Sequence, residues 1–88
     1  MPIISQFYGI IIKMYHREGT RHHKEHIHIV YNQFDAVYGI DGELIKGNLP
    51  HKQRKMVEAW IAIHEDELRA LWKEINEFGN FFRIQPLK

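Results

Sequence analysis

Cysteine is absent from this 88-residue chain. That excludes disulfides and every thiolate metal site, and it suits a reducing cytosol. An excess of charge of either sign is also lacking. Twelve Lys and Arg against eleven Asp and Glu leave a formal net charge of +1. Total charge therefore gives no argument for nucleic acid, and any such argument must come from a local patch. Long apolar runs are missing: none approaches the roughly 20 residues needed to span a bilayer. The N-terminus carries no basic segment followed by an apolar stretch and a small-residue cleavage site. These absences predict a cytoplasmic protein without a membrane partner. Also missing are a nucleophile motif, a Gly-rich phosphate loop and carboxylates at a clear paired spacing. The low-hydrophobicity signature of disorder does not apply, since 44% of the residues are hydrophobic. The length predicts one domain over residues 1–88.

The first half, residues 1–49, reads as a β-meander. The stretch FYGIIIKMY, residues 7–15, is rich in β-branched and aromatic residues and reads as one central strand, apolar on both faces. Residues 16–25 are polar and read as a loop around Gly19. HIHIVY, residues 26–31, alternates cleanly: Ile27, Ile29 and Tyr31 point one way, His26, His28 and Val30 the other. Asn32-Gln33 closes a tight turn into residues 34–40. Asp41-Gly42 reads as a type I′ hairpin into a short strand, ELIKG. The sum is an antiparallel meander of about four strands.

The second half reads as one long helix over residues 50–79. Pro50 suits its first turn, where a missing N–H costs nothing. Val57, Trp60, Ile61, His64, Leu68, Leu71, Trp72 and Ile75 keep one phase on an ideal wheel. The unbroken phase favours one helix over a hairpin of two and leaves room for a bend near His64–Asp66. Gly79-Asn80 is a stop signal. Residues 80–88 read as a fifth, C-terminal strand or a packed tail, ended by Pro86. A sheet with one apolar face and a helix with one apolar stripe should cover each other, giving a two-layer α+β domain.

Chemistry concentrates in RHHKEHIHIVYN, residues 21–32, which holds four of the seven histidines. His26 and His28, two apart on a strand, share a face with Cα atoms ~7 Å apart. Both imidazoles can then converge on one metal ion or one phosphate. Near neutral pH one member of such a pair can be protonated while the other is neutral. Acid and base would stand side by side, as cleavage of RNA by its own 2′-hydroxyl requires. Two alternatives stay open beside this. A solvent-facing strand simply carries polar residues at alternate positions. Or His16, His26 and His28 form a three-histidine zinc site, although the sequence offers no evident fourth ligand, so no tightly held cofactor is expected. His22 and His23 read as loop polarity. His64, inside the apolar stripe, reads as a core histidine with one satisfied hydrogen bond. Trp60 and Trp72 read as core aromatics or as an interface patch, which would allow a homo-oligomer. Tyr15, Tyr31 and Tyr38 are candidates to flank the histidine face. Lys13, Arg17, Arg21 and Lys24 surround the histidine loop, and Arg17, Arg21 and Lys24 are the candidates to hold phosphate. Lys52, Arg54 and Lys55 crowd the first helical turn, against the macrodipole.

Several marks in fixed order carry a resemblance: the Met-Pro-x-Ile-Ser start (Met1 to Ser5), the His-x-His at His26 and His28, Gly-x-Leu-Pro at Gly47 to Pro50, and the stripe Trp60, His64, Leu68, Trp72. Taken together they resemble a bacterial family of small proteins catalogued as the domain of unknown function numbered 4160. The likeness covers nearly the whole chain. One departure stands out: members usually place two prolines before the His-x-His, where Lys24 and Glu25 stand here. Members often sit beside a second small family, numbered 2442, and some are labelled the toxin half of a toxin–antitoxin pair. The resemblance therefore implies a toxin-like component with a small, antitoxin-like cognate partner. Joined to the histidine chemistry, it suggests action on RNA, with His26 and His28 as acid and base. The alternative is a non-enzymatic interaction or metal-binding module.

Overall fold

A computed structural model of the chain describes residues 3–15 and 24–88. Five strands form one antiparallel sheet in sequence order: β1 (Ile3–Phe7), β2 (Ile10–Lys13), β3 (His26–Tyr31), β4 (Phe34–Gly39) and β5 (Leu44–Gly47). One helix, α1 (His51–Phe78), follows. The fold is α+β.

The alternation read from the sequence holds in the centre of the sheet. Ile10, Ile12, Ile27 and Ile29 are fully buried on one face, beneath Val57, Trp60, Ile61, Leu68, Leu71 and Trp72 of the helix. All ten are therefore core, and no part of the Trp60–Trp72 stripe stands free as a surface.

The strand expected over residues 7–15 is instead the second arm of a hairpin. Phe7 pairs with Ile10 across a two-residue connection, and both connecting residues have positive φ, Tyr8 at 49° and Gly9 at 79°. This is the signature of a type I′ turn. Tyrosine in its first position hides it from a reading that looks for Asn or Asp before Gly. The fifth strand thus comes from the N-terminal side. Its register slips between Ile3 and Ser5, and this bulge lets the consecutive Ile4 and Ser5 both face inward.

The Asp41-Gly42 turn is also built differently from the expected type I′ pair. The Gly42 N–H donates to the Gly39 carbonyl at 2.9 Å, so Ile40 and Asp41 are the central residues and Gly42 follows at φ 94°. The Asp41 carboxylate accepts from the Glu43 N–H at 3.1 Å, which fixes the loop locally. Residues 80–88 form no strand. They pack as a tail, tied by the Ile84 N–H to the Ile4 carbonyl at 2.8 Å and by the Trp60 indole N–H to the Gln85 carbonyl at 2.8 Å.

Pro50 is the helix N-cap rather than its first residue, and Gly79 closes the other end in the left-handed conformation at φ 75°. The helix, read as one continuous element with room for a bend, does bend at His64, whose φ of −110° and ψ of 20° leave the helical region. Among the described residues no helix is long and apolar enough to cross a membrane.

Candidate functional site: the open face of the sheet

With the helix on the isoleucine face, no helix or strand among the described residues covers the opposite face of the sheet, and strand register decides what meets there. Lys13 pairs with His28, His28 with Val37, and Val37 with Lys46. Paired residues share a face, so Lys13, His28, Val37 and Lys46 form one row across four strands. Beside it, Ile11, Val30 and Asp35 form a second row. His26 stands opposite Gly39, and the side chains of Lys24 and Asp41 fill the space over that glycine.

The two histidines meet as their spacing predicts, with ring centroids 5.2 Å apart and planes nearly perpendicular at 67°. Each is held by a different neighbour. His28 stacks on Tyr15, centroids 4.3 Å apart. His26 lies 5.3 Å from the Trp72 ring, and its Nδ1–H donates to the Lys24 carbonyl at 2.7 Å. That bond assigns Nε2 as the nitrogen that exchanges protons or meets a ligand. It also means that His26 is packed against a core aromatic rather than projecting freely.

The protonation of His28 is biased. Burial, then the neighbouring His26, then Lys13 and, more weakly, Lys46 all push its pKa below the usual 6.5, while Asp35 opposes them. The shift favours the uncharged imidazole, the form required of a general base.

Other candidates fall elsewhere. The Lys24 ammonium is matched by two carboxylates, Asp41 at 2.9 Å and Glu43 closer still. Arg69 pairs with Glu25 at 2.7 Å and Glu65 at 2.6 Å. Between these clusters runs a groove of about 380 Å³ lined by Lys24, Glu25, Ile40, Asp41 and Arg69. His16, Arg17, Arg21, His22 and His23 lie outside the described residues. The three-histidine zinc alternative includes one of them. Among the described residues no three His, Cys, Asp or Glu side chains converge as a metal site. Of the three candidate tyrosines only Tyr15 flanks the histidines. Tyr38 is fully buried on the helix side, donating to Glu58 at 3.0 Å, and Tyr31 packs over Gly9. His64 lies at the edge of the core, half-buried, packed 5.3 Å from Trp60 and bonded to Glu67.

Lys46 is the member of the face that sequence reasoning missed. The register between β4 and β5 shifts between Val37 and Tyr38, because Tyr38 pairs with Leu44 and Val37 with Lys46. Ile45 is the extra residue. A bulge of this kind turns the following side chain to the other face, and no local residue pattern announces it.

A family model described as "Domain of unknown function (DUF4160)" matches residues 9–73. No curated protein and no solved structure matches the chain.

Proposed function

The chain belongs to the DUF4160 family, and from that premise we propose that it is the toxin-like member of a two-protein system and acts on RNA through the His26–His28 face. The observation that carries this reading is the 5.2 Å approach of two imidazoles beside Lys13, which pairs directly with His28. In this mechanism His28 takes the proton of an RNA 2′-hydroxyl. The 2′-oxygen attacks the adjacent phosphorus, and the bond to the 5′-oxygen breaks. His26, as imidazolium, gives its Nε2 proton to that leaving oxygen. Lys13 offsets the charge that builds on the phosphoryl oxygens. The products are a 2′,3′-cyclic phosphate and a 5′-hydroxyl. Arg17, Arg21 and Lys24 would hold flanking phosphates. Of these, Lys24 contributes least, since Asp41 and Glu43 already neutralise it.

The test is incubation of purified protein with single-stranded RNA and analysis of the ends. Cyclic phosphates that disappear in His28→Gln, and that do not form when the scissile 2′-hydroxyl is removed, support the reading. Intact RNA under conditions where the protein is folded overturns it.

A second reading, a non-enzymatic interaction module, is favoured by Phe78, Phe81 and Phe82, which are 65%, 51% and 43% exposed where the helix gives way to the tail. Exposed apolar clusters of this kind serve contacts between proteins, including self-association. Sedimentation of a Phe81→Ser, Phe82→Ser variant against the parent measures that contribution directly.

A further inference from the structure

We propose that the open face takes single-stranded RNA laid across the strands, with Lys13 and Lys46 holding phosphates on either side of a nucleotide that rests over His28 and Val37. This rests on the RNA reading above and adds to it a substrate form, a path and a binding residue.

The geometry sets the direction. Lys13 and Lys46 stand at opposite ends of one row of paired residues, three strand spacings apart, or roughly 14 Å between Cα atoms. One phosphodiester does not reach both, and a chain running along β3 meets only one of them. A chain crossing the sheet meets both in turn. Between the lysines lie the His28 ring and the aliphatic Val37, with Val30 and Ile11 in the next row, all half-buried. An open sheet face that alternates cation, ring and aliphatic side chains offers bases a surface to lie on and phosphates a charge to meet. Duplex RNA hides its base faces in the stack and presents a convex surface, so it gains nothing from the middle of the row.

Charge complementarity argues for this occupant. Lys13 and Lys46 both act on His28 through the field, so neither is sequestered at a remote edge. Asp35, exposed on the second row, acts on His28 in the opposite sense to the lysines. It lies beside Val30 rather than between the lysines, and so repels a chain displaced toward the β3–β4 turn.

The experiment measures binding of 2′-O-methyl oligonucleotides, which lack the nucleophile and stay uncut, at lengths of two, four and eight, together with an eight-pair duplex. Expected are a rise of at least tenfold in affinity from dimer to tetramer, weaker binding of the duplex, and loss of the length-dependent gain in Lys46→Ala. The slope of log affinity against log salt should also fall by about 0.7 for that one lost contact. Lys46 is exposed, and an unchanged melting temperature would certify the fold of the variant. Equal affinity for duplex and single strand, or a length dependence unaltered in Lys46→Ala, overturns the crossing path while leaving His26–His28 cleavage standing. No binding of any oligonucleotide by the parent overturns both, and self-association through this face, blocked by Lys46→Glu, would account for it instead.

Discussion

Tyr15 stacks on His28, with ring centroids 4.3 Å apart and planes within 20° of parallel. The contact withdraws one side of the imidazole from water, and burial is the largest cause of the lowered His28 pKa. Tyr15 therefore adds to the burial that lowers the His28 pKa, although it contributes no proton itself.

The first prediction follows from this stack. NMR titration should place His28 below 6.5, and Tyr15→Ala should move it back up toward that value. The sign for stability is fixed by linkage. A histidine with a depressed folded pKa binds its proton more weakly in the fold than in the unfolded chain. Its contribution is complete above 6.5 and is lost as pH falls through the folded value. Denaturation midpoints should thus decline on acidification across that window, and less so in Tyr15→Ala. A titration at or above 6.5 in the parent would contradict the burial argument.

A second prediction concerns two glycines of opposite surroundings. Both have positive φ, Gly42 at 94° and Gly47 at 76°. A Cβ on Gly42 meets nothing within 4 Å, whereas one on Gly47 falls 2.3 Å from the Asp35 carbonyl oxygen. That oxygen also accepts from the Asn48 N–H at 3.1 Å, so it has little freedom to withdraw. Gly42→Ala should cost only its backbone strain, about 1–2 kcal/mol. Gly47→Ala should cost on the order of 3 kcal/mol or more. Chemical denaturation of the pair checks the order, and equal costs would show that the β4–β5 edge yields easily.

Periodicity and register contribute unequally to what the sequence discloses. The helix from His51 to Phe78 was legible because a 3.6-residue apolar stripe survives with little dependence on partners, whereas the same unbroken stripe left its bend at His64 open. The inward set Ile27 and Ile29, and the outward set His26 and His28, were legible from alternation alone. The Tyr8–Gly9 turn was not, since a tyrosine at positive φ is a cost accepted for the sake of the hairpin around it. Lys46 was not, because its face depends on a one-residue bulge. The proximity of Trp72 to His26 was not, because it joins residues far apart in sequence through packing. The His-x-His was thus visible as a motif, with Tyr15 and Lys13 as candidate neighbours, while the parts played by Lys46 and Trp72 required the strands to be placed.

The third prediction tests the tail. Trp60 is fully buried and donates its indole N–H to the Gln85 carbonyl, so it fills the core and anchors residues 80–88 at once. Trp60→Ala should lower stability by about 3–5 kcal/mol. Trp60→Phe keeps most of the packing and loses the hydrogen bond, at a cost nearer 1 kcal/mol for the bond itself. Amide exchange at Ile84, whose N–H donates to Ile4, should accelerate in both variants if the tail depends on that anchor. Unchanged exchange at Ile84 in Trp60→Phe would mean that the tail holds by its own contacts.

The fourth prediction separates catalysis from binding in cells. A toxin-like protein expressed alone should slow bacterial growth, and a cognate partner should relieve the arrest. His28→Gln should abolish the effect with little change in melting temperature, because His28 lies on the open face and the ring contacts disturbed are those with Tyr15 and His26. His26 needs a different substitution. It packs against Trp72 and bonds to Lys24, so truncation to alanine would remove structure together with chemistry, and His26→Gln is the cleaner variant. Loss of a general acid or base should reduce the cleavage rate by ~10²–10⁴, enough to restore growth at equal protein levels. Arg17→Glu with Arg21→Glu should weaken the arrest by impairing RNA affinity, and Lys24→Ala should weaken it less, since that ammonium already has two carboxylate partners. Arrest that survives His28→Gln but disappears with the arginine reversals would assign the effect to binding. Arrest that requires His28 while cellular RNA shows no new 5′ ends would retain the site and remove RNA as its substrate.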